Sequence, residues 1–289
     1  MKHLFLKILF VFIILFNISP KADAIKIGLQ IDVSEMTAGV SVKGVVTDKL
    51  TGNPICSLDA MQSYRLKATK DGIDIFIDGK KYNLGSRFVT ISPIDSGFVS
   101  TKGRWYRGSL LVVNRFGKLT VINDVKLEDY LLGVVPCEMP SGWNEEALKA
   151  QAIAARSYAV ANIGKNASKG FDLKDTTDDQ VYGGASSETN KTNQIVAQTF
   201  GIVITQDKQV VTAFYSASAG GKTGVTGKDL PYLHSVPSYD DNVKKMGHGL
   251  GMSQHGANNL AKQGYNAYQI LAYYYHNIKF GKLSEKWNM

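Results

Sequence analysis

One glutamate stands out for its setting. Glu138 lies in the run Val134-Val135-Pro136-Cys137-Glu138-Met139-Pro140, and an alanine-rich segment carrying Lys149 and Arg156 follows it. Apolar neighbours favour the protonated form of a carboxyl group, the form a general acid needs. Two nearby cations suit an anionic polymer as the molecule acted on. The alternative is a glutamate that only supports its turn.

The surrounding elements must position that carboxyl group. Leu127–Leu132 reads as a short helical turn, leading into a strand-like apolar stretch and a proline-bracketed turn that holds Glu138. Asn144 is a good N-cap, and Glu145 and Glu146 suit the positive end of a helix dipole. The helix is expected from Glu145 to about Ile163, with Gly164 as its stop. Helical spacing puts Lys149, Ile153, Arg156 and Val160 on one face. Leu148, Ala152, Ala155 and Ala159 form a second, small apolar stripe that another element could approach closely. The two cations fit a ligand contact, a solvated face paired with Glu145 and Glu146, or a packed face from which they snorkel outward.

Residues 25–125 read as β-rich. Ile25, Ile27, Leu29, Ile31 and Val33 alternate with period two, and Arg87–Ser92 is a further strand candidate. Ile73–Ile77 with Asp78-Gly79 signals a hairpin, as do Trp105–Arg115 and Leu119–Val125 around Phe116-Gly117-Lys118. Later, Ile195–Thr205 and Gln209–Ser216 read as strands, and Gly220–Thr223 and Gly247–Gly251 as loops. Ser253 can cap a helix to Gln263 with Gly264 as its stop, and Tyr268–His276 reads as a short helix. Tyr265, Tyr268, Tyr273, Tyr274 and Tyr275 are mostly expected in the core. There is no internal repeat.

The 289-residue chain is 44% hydrophobic and 20% charged, which fits one large domain or two modest ones. Lys2, Lys7, the aliphatic run Ile8–Ile18 and the small residues Ala22 and Ala24 read as an export signal over residues 1–24. An uncleaved membrane anchor is the alternative, although the run is short for a span. Cleavage would remove three lysines and one aspartate, taking the net charge from +8 to +6. A basic exported protein meets anionic envelope polymers rather than nucleic acid. Cys56 and Cys137 could pair in an oxidising compartment or remain two thiols, and no CxxC pattern is present.

Several other patterns lead away from cofactor chemistry. His248 and His255 are seven apart, which fits no standard zinc spacing. Ser253 lacks the second glycine of a nucleophile elbow. Ser216–Thr223 has serine where a phosphate-binding loop needs its first glycine, so no nucleotide is expected. No cofactor or metal is expected.

The run Asp129–Val160 resembles the signature of the SpoIID/LytB family, which includes stage II sporulation protein D and the amidase enhancer LytB. Further blocks resemble the family in order: Gln180-Val181-Tyr182-Gly183, Ala213-Phe214-Tyr215, Gly220–Thr223, Pro231-Tyr232-Leu233, Gly247–Ala257 and Leu271–Tyr275. Together they span roughly residues 104–280, within an expected domain of residues 101–289 that follows a β-rich region at 25–100. The resemblance implies an α+β, SpoIID-like mixed fold with a helix-containing catalytic core. It implies a secreted lytic transglycosylase that cuts peptidoglycan glycan strands, in the periplasm or cell envelope, with Glu138 as the one catalytic carboxylate. The LytB branch implies instead a non-catalytic enhancer of a cell-wall amidase. Lys149, Arg156, Gln180, Tyr215, His248 and Gln254 are then the expected substrate-binding residues. Some family members are thought to hold zinc near the double-glycine loop, but Tyr215–Ala219 contains neither His nor Cys. The family's segment between Pro-Tyr-Leu and the terminal Gly-His-Gly block is expected to be deleted here, between residues 234 and 246.

Overall fold

The computed structural model describes residues 24–226 and 230–283. Apart from Ala24, the expected export signal lies outside the described residues. Among these, no helix is long and apolar enough to cross a membrane. Strands and helices are both present, giving the α+β class expected. Within the described residues the chain forms two compact units. One holds residues 24–138 and 162–193, the other 139–161 and 194–283.

The first unit is mostly sheet. Its strands are β1 (Ile25–Val33), β2 (Glu35–Val40), β3 (Gly44–Asp48), β4 (Pro54–Leu58), β5 (Ser63–Ala68), β6 (Ile73–Ile77) and β7 (Lys80–Asn83). They continue with β8 (Phe88–Pro93), β9 (Val99–Thr101), β10 (Arg104–Tyr106), β11 (Ser109–Arg115), β12 (Lys118–Val125) and, after helix α1 (Leu127–Glu138), β13 (Leu173–Lys174). Seven strands form a sheet in the order β13-β1-β12-β11-β8-β3-β4, and six form another in the order β10-β9-β2-β5-β6-β7. All neighbours are antiparallel except β1 and β13. Both expected hairpins form. Asp78 and Gly79 have φ of 49° and 74°, and Phe116 and Gly117 have 53° and 77°, the paired left-handed residues that match hairpin twist. Alternation along β11 sends Leu111 and Val113 to one face, where they meet Ile122 and Phe171, and Leu110 and Val112 to the other. The boundary expected at residue 100 is not where the units divide. β12 pairs with β1 and β11 with β8, so strands on both sides of that boundary share one sheet.

The second unit is built around helix α2 (Glu145–Ala161). Helix α3 (Asn190–Gln198) runs across the division between the units. Then follow β14 (Ile202–Gln206), β15 (Gln209–Val210), β16 (Tyr215–Ser216), β17 (Met252–Ser253), α4 (Gln254–Lys262), α5 (Ala267–Tyr274) and β18 (Lys279–Lys282). Every residue of α2 from Ala147 to Ala159 is buried except Lys149, so the helix is a central core element rather than an amphipathic surface one. Its alanines allow α4, α5 and β14 to pack against it. Ser253 caps α4 by accepting the Gly256 N–H, as its position suggested. Asn266 and Gln269 form a reciprocal capping box on α5.

Three local expectations change. The apolar stretch before Glu138 is helix, not strand and turn. α1 runs through Val134, Val135 and Pro136 and ends at Glu138, because burial of Tyr130, Leu131 and Val134 outweighs the strand propensity of the two valines. Likewise Ile195–Gln198 completes α3, with Ile195 and Val196 buried, and only Ile202–Gln206 of that stretch is strand. Gly201, at φ 69°, separates the two. Of Gln209–Ser216, only the two ends are strand.

Candidate functional site

Glu138 ends α1, half-buried, and its Oε1 accepts the Val181 N–H at 2.8 Å. That donor belongs to the Gln180–Gly184 loop, which is held from several sides. Tyr130 of α1 donates its hydroxyl to Gln180 Oε1 at 3.2 Å. Tyr182 donates to Asn123 Oδ1 at 2.9 Å, and its ring lies 4.8 Å from that of Tyr130 and 5.6 Å from that of Tyr106. Asn123 is fully buried, and its amide donates to the Arg107 and Ser109 carbonyls, so both ends of this buried side chain are satisfied. The Gly133 carbonyl accepts from Gly183 N and Ser187 Oγ, both at 3.1 Å.

Gly133 is required for this fit. A Cβ there would lie 2.6 Å from the Tyr182 ring and 2.8 Å from the Gly184 carbonyl oxygen. Helix and loop thus pack with almost no room between them, and the loop's N–H is brought to the helix's last carboxylate. Beside them, Arg107 makes a bidentate pair with Glu188, at 2.6 and 2.9 Å. Burial raises the pKa of Asp129 on α1, against the opposing pull of Arg107. Cys137 and Cys56 are both free thiols, each half-buried.

Gln180 and Arg156, two of the expected substrate contacts, are both enclosed. Gln180 is fully buried, and its carbonyl oxygen holds the loop through Tyr130. Arg156 is also fully buried, with its guanidinium donating to the backbone carbonyls of Ile202 at 3.2 Å and of Ala152 and Val196 at 3.5 Å. The Val196 carbonyl also accepts from Thr199 N and Oγ1, both at 3.2 Å, so the guanidinium adds to bonds already made where α3 gives way to β14.

The remaining expected residues lie in the second unit. Lys149 Nζ pairs with Glu146 at 2.7 Å, the arrangement expected of a paired helix face. It lines a hollow of about 330 Å³ with Gln198, Asn266 and Tyr268. Tyr215, His248 and Gln254 lie on neighbouring segments. Tyr215 pairs with Met252 in the β16–β17 bridge, next but one to Gln254. His248 lies edge-on to Phe214 at 5.9 Å, and its Nδ1 accepts the Leu250 N–H. Partial burial, then the Lys245 charge, lowers the His248 pKa below the ordinary imidazole value. Gln254 is buried, with its amide 3.4 Å from Gln151 Oε1.

Sequence reasoning missed the residues that aim Glu138: Asn123, Tyr130 and the backbone of Val181. It also missed Asp240, a buried carboxylate that accepts from Ala219 N (2.6 Å), Gly221 N (2.8 Å), Ser253 Oγ (2.6 Å) and Ser238 Oγ. The short connection before Gly247 is therefore stitched to the double-glycine loop and to the cap of α4. No spacing rule signals either set, because most of the partners are far apart in the chain, Asn123 and Tyr182 by 59 residues and Asp240 and Ala219 by 21.

Comparison with known proteins covers this same region. Residues 115–206 match the SpoIID family, described as Stage II sporulation protein. That span includes Glu138, the Val181 loop, Lys149 and Arg156. An amidase enhancer of Bacillus subtilis is 44% identical over 107 residues, covering 36% of this chain and 14% of that protein. The stage II sporulation protein D of Bacillus subtilis is 36% identical over 136 residues, covering 40% of each chain. Over these stretches the chain is similar to the SpoIID/LytB family. An uncharacterized protein of Brachyspira hyodysenteriae is 40% identical over 136 residues, covering 45% of this chain and 37% of its own. The match thus spans less than half the length of each of these relatives. Within the SpoIID/LytB region, the helix carrying Glu138 and the loop that fixes its carboxylate form one packed piece of the first unit.

Proposed function

We propose that this protein is an exported enzyme that cleaves peptidoglycan glycan strands by lytic transglycosylation, with Glu138 as its general acid and base. The observation that carries the reading is the half-buried Glu138 carboxylate, oriented by the Val181 N–H at the end of α1 inside the family-matched region. The protonated carboxyl donates to the glycosidic oxygen as the bond to the anomeric carbon breaks. The resulting carboxylate then takes the proton from the same sugar's primary hydroxyl, whose oxygen closes onto the anomeric carbon. No water is consumed, the product ends in an anhydro sugar, and the acid is regenerated. One carboxyl group suffices, unlike the pair a hydrolytic glycosidase uses. The Val181 donor also steadies the ionised form between the two proton transfers.

Purified glycan strands incubated with the mature protein test this. Wild type is expected to release anhydro-ended fragments, and Glu138→Gln to release them about a hundredfold more slowly or not at all. Absence of anhydro ends from the wild type would overturn the reading.

A second reading is favoured by the 44% identity to an amidase enhancer. There the protein binds wall polymer and stimulates a cell-wall amidase without catalysis. It predicts that Glu138→Gln stimulates a purified wall amidase as well as wild type does.

A further inference from the structure

The second unit holds a cavity of about 280 Å³ whose lining includes none of the residues assigned above to catalysis or binding. Its lining includes Tyr239, Asp241, Asn242, Asn259 and Gln263. Tyr239 holds φ at 57°, a conformation that bulky residues avoid, yet the residue is 38% exposed. Two contacts fix it there. The Asn259 amide donates to the Tyr239 carbonyl at 2.8 Å, and the Tyr273 ring meets the Tyr239 ring edge-on at 5.3 Å. Tyr273 is itself anchored, donating its hydroxyl to the Pro237 carbonyl at 2.7 Å. The left-handed backbone is thus held in place, and it presents an aromatic residue to solvent beside a hollow.

The chemistry of the lining narrows the occupant. Asn242, Asn259 and Gln263 have carboxamides, which both donate and accept. Asp241 adds an acceptor, while the oxygens of Asp240 are taken up by four donors. The lining contains no lysine or arginine, so an anionic group finds no counter-charge. One aromatic ring with several carboxamides suits a neutral polyhydroxylated ring: its C–H face stacks on tyrosine and its hydroxyls and amide meet the side chains. The volume lies at the small end of ligand sites and fits one ring rather than a drug-sized ligand.

We infer that this cavity is a saccharide subsite for one neutral, N-acetylated amino-sugar ring of a glycan strand. The choice of sugar rests on the glycan reading above; the site itself is independent of Glu138.

Calorimetric titration of the mature full chain with a β-1,4-linked N-acetylglucosamine hexasaccharide tests it. Tyr239→Gly removes the ring and relieves the left-handed backbone, so the variant is expected to melt no lower than wild type. Gln263→Ala changes an exposed residue. Each variant is expected to weaken hexasaccharide binding by about fivefold or more. Wild-type affinity in both cavity variants, or no binding of the hexasaccharide by wild type, would overturn the subsite. The anhydro-product assay is read separately. Loss of product in Glu138→Gln with unaltered binding in Tyr239→Gly sinks only the subsite. Weakened binding in Tyr239→Gly without any anhydro product sinks only the enzyme reading.

Discussion

At the scale of single residues, the same charge type takes opposite roles according to burial. Lys149 keeps one quarter of its side chain exposed and pairs with Glu146. Arg156, seven residues on along the same helix, is enclosed and spends its donors on backbone carbonyls. Removing the guanidinium withdraws its buried hydrogen bonds, the one to the Ile202 carbonyl above all. Arg156→Met is therefore expected to lower stability by about 2–4 kcal/mol, measured by urea denaturation. An unchanged unfolding midpoint would mean that its carbonyl contacts contribute nothing and would reopen a ligand role.

At the scale of elements, the functional piece is α1 with the Gln180–Gly184 loop. The helix supplies the carboxylate, the loop supplies the N–H, and Gly133 lets them approach. Gly133→Ala puts a methyl group within 2.6 Å of the Tyr182 ring, so the loop must shift and carry the Val181 donor away from Glu138. The expected result is a loss of about 1–3 kcal/mol from overpacking, seen in thermal denaturation, and slower anhydro-product release by the fraction that remains folded. A variant as stable and active as wild type would show that this packing does not aim the carboxylate. The helix of Lys149 and Arg156 was legible from Asn144 and the alanine periodicity. α1 was not, because valine, valine and proline in succession argue locally for strand and turn, and only contact with Tyr182 and Gly184 reverses that preference.

At the scale of the whole molecule, each compact unit gathers pieces far apart in the chain, and the chain passes between the units after Glu138, Ala161 and Asn193. Within the second unit, Asp240 ties together the loop at Ala219–Gly221, Ser238 and the cap at Ser253. Burial opposes its ionisation, but hydroxyl donors from Ser238 and Ser253 and the N–H groups of Gly221 and Ala219 outweigh it and hold its pKa below the usual carboxylate value. A folded pKa below the unfolded one contributes stability that is present above about pH 4 and is lost as pH falls through the folded value. Asp240→Asn is expected to cost about 2 kcal/mol or more at pH 7, and the gap to wild type should narrow below about pH 4. Denaturation curves across that range check this; a gap that stays constant would show that the charge is not what holds the loops. The family blocks, the mixed α+β class, both hairpins and the caps of α4 and α2 were legible in the sequence, since these rest on local spacing and turn chemistry. Tertiary structure alone decided that α1 is a helix, that Arg156 and Gln180 are enclosed, which backbone N–H meets Glu138, and that Asp240 closes the short connection. Each of those depends on partners tens of residues away, whose pairing follows from packing and hydrogen-bond satisfaction that no local pattern encodes.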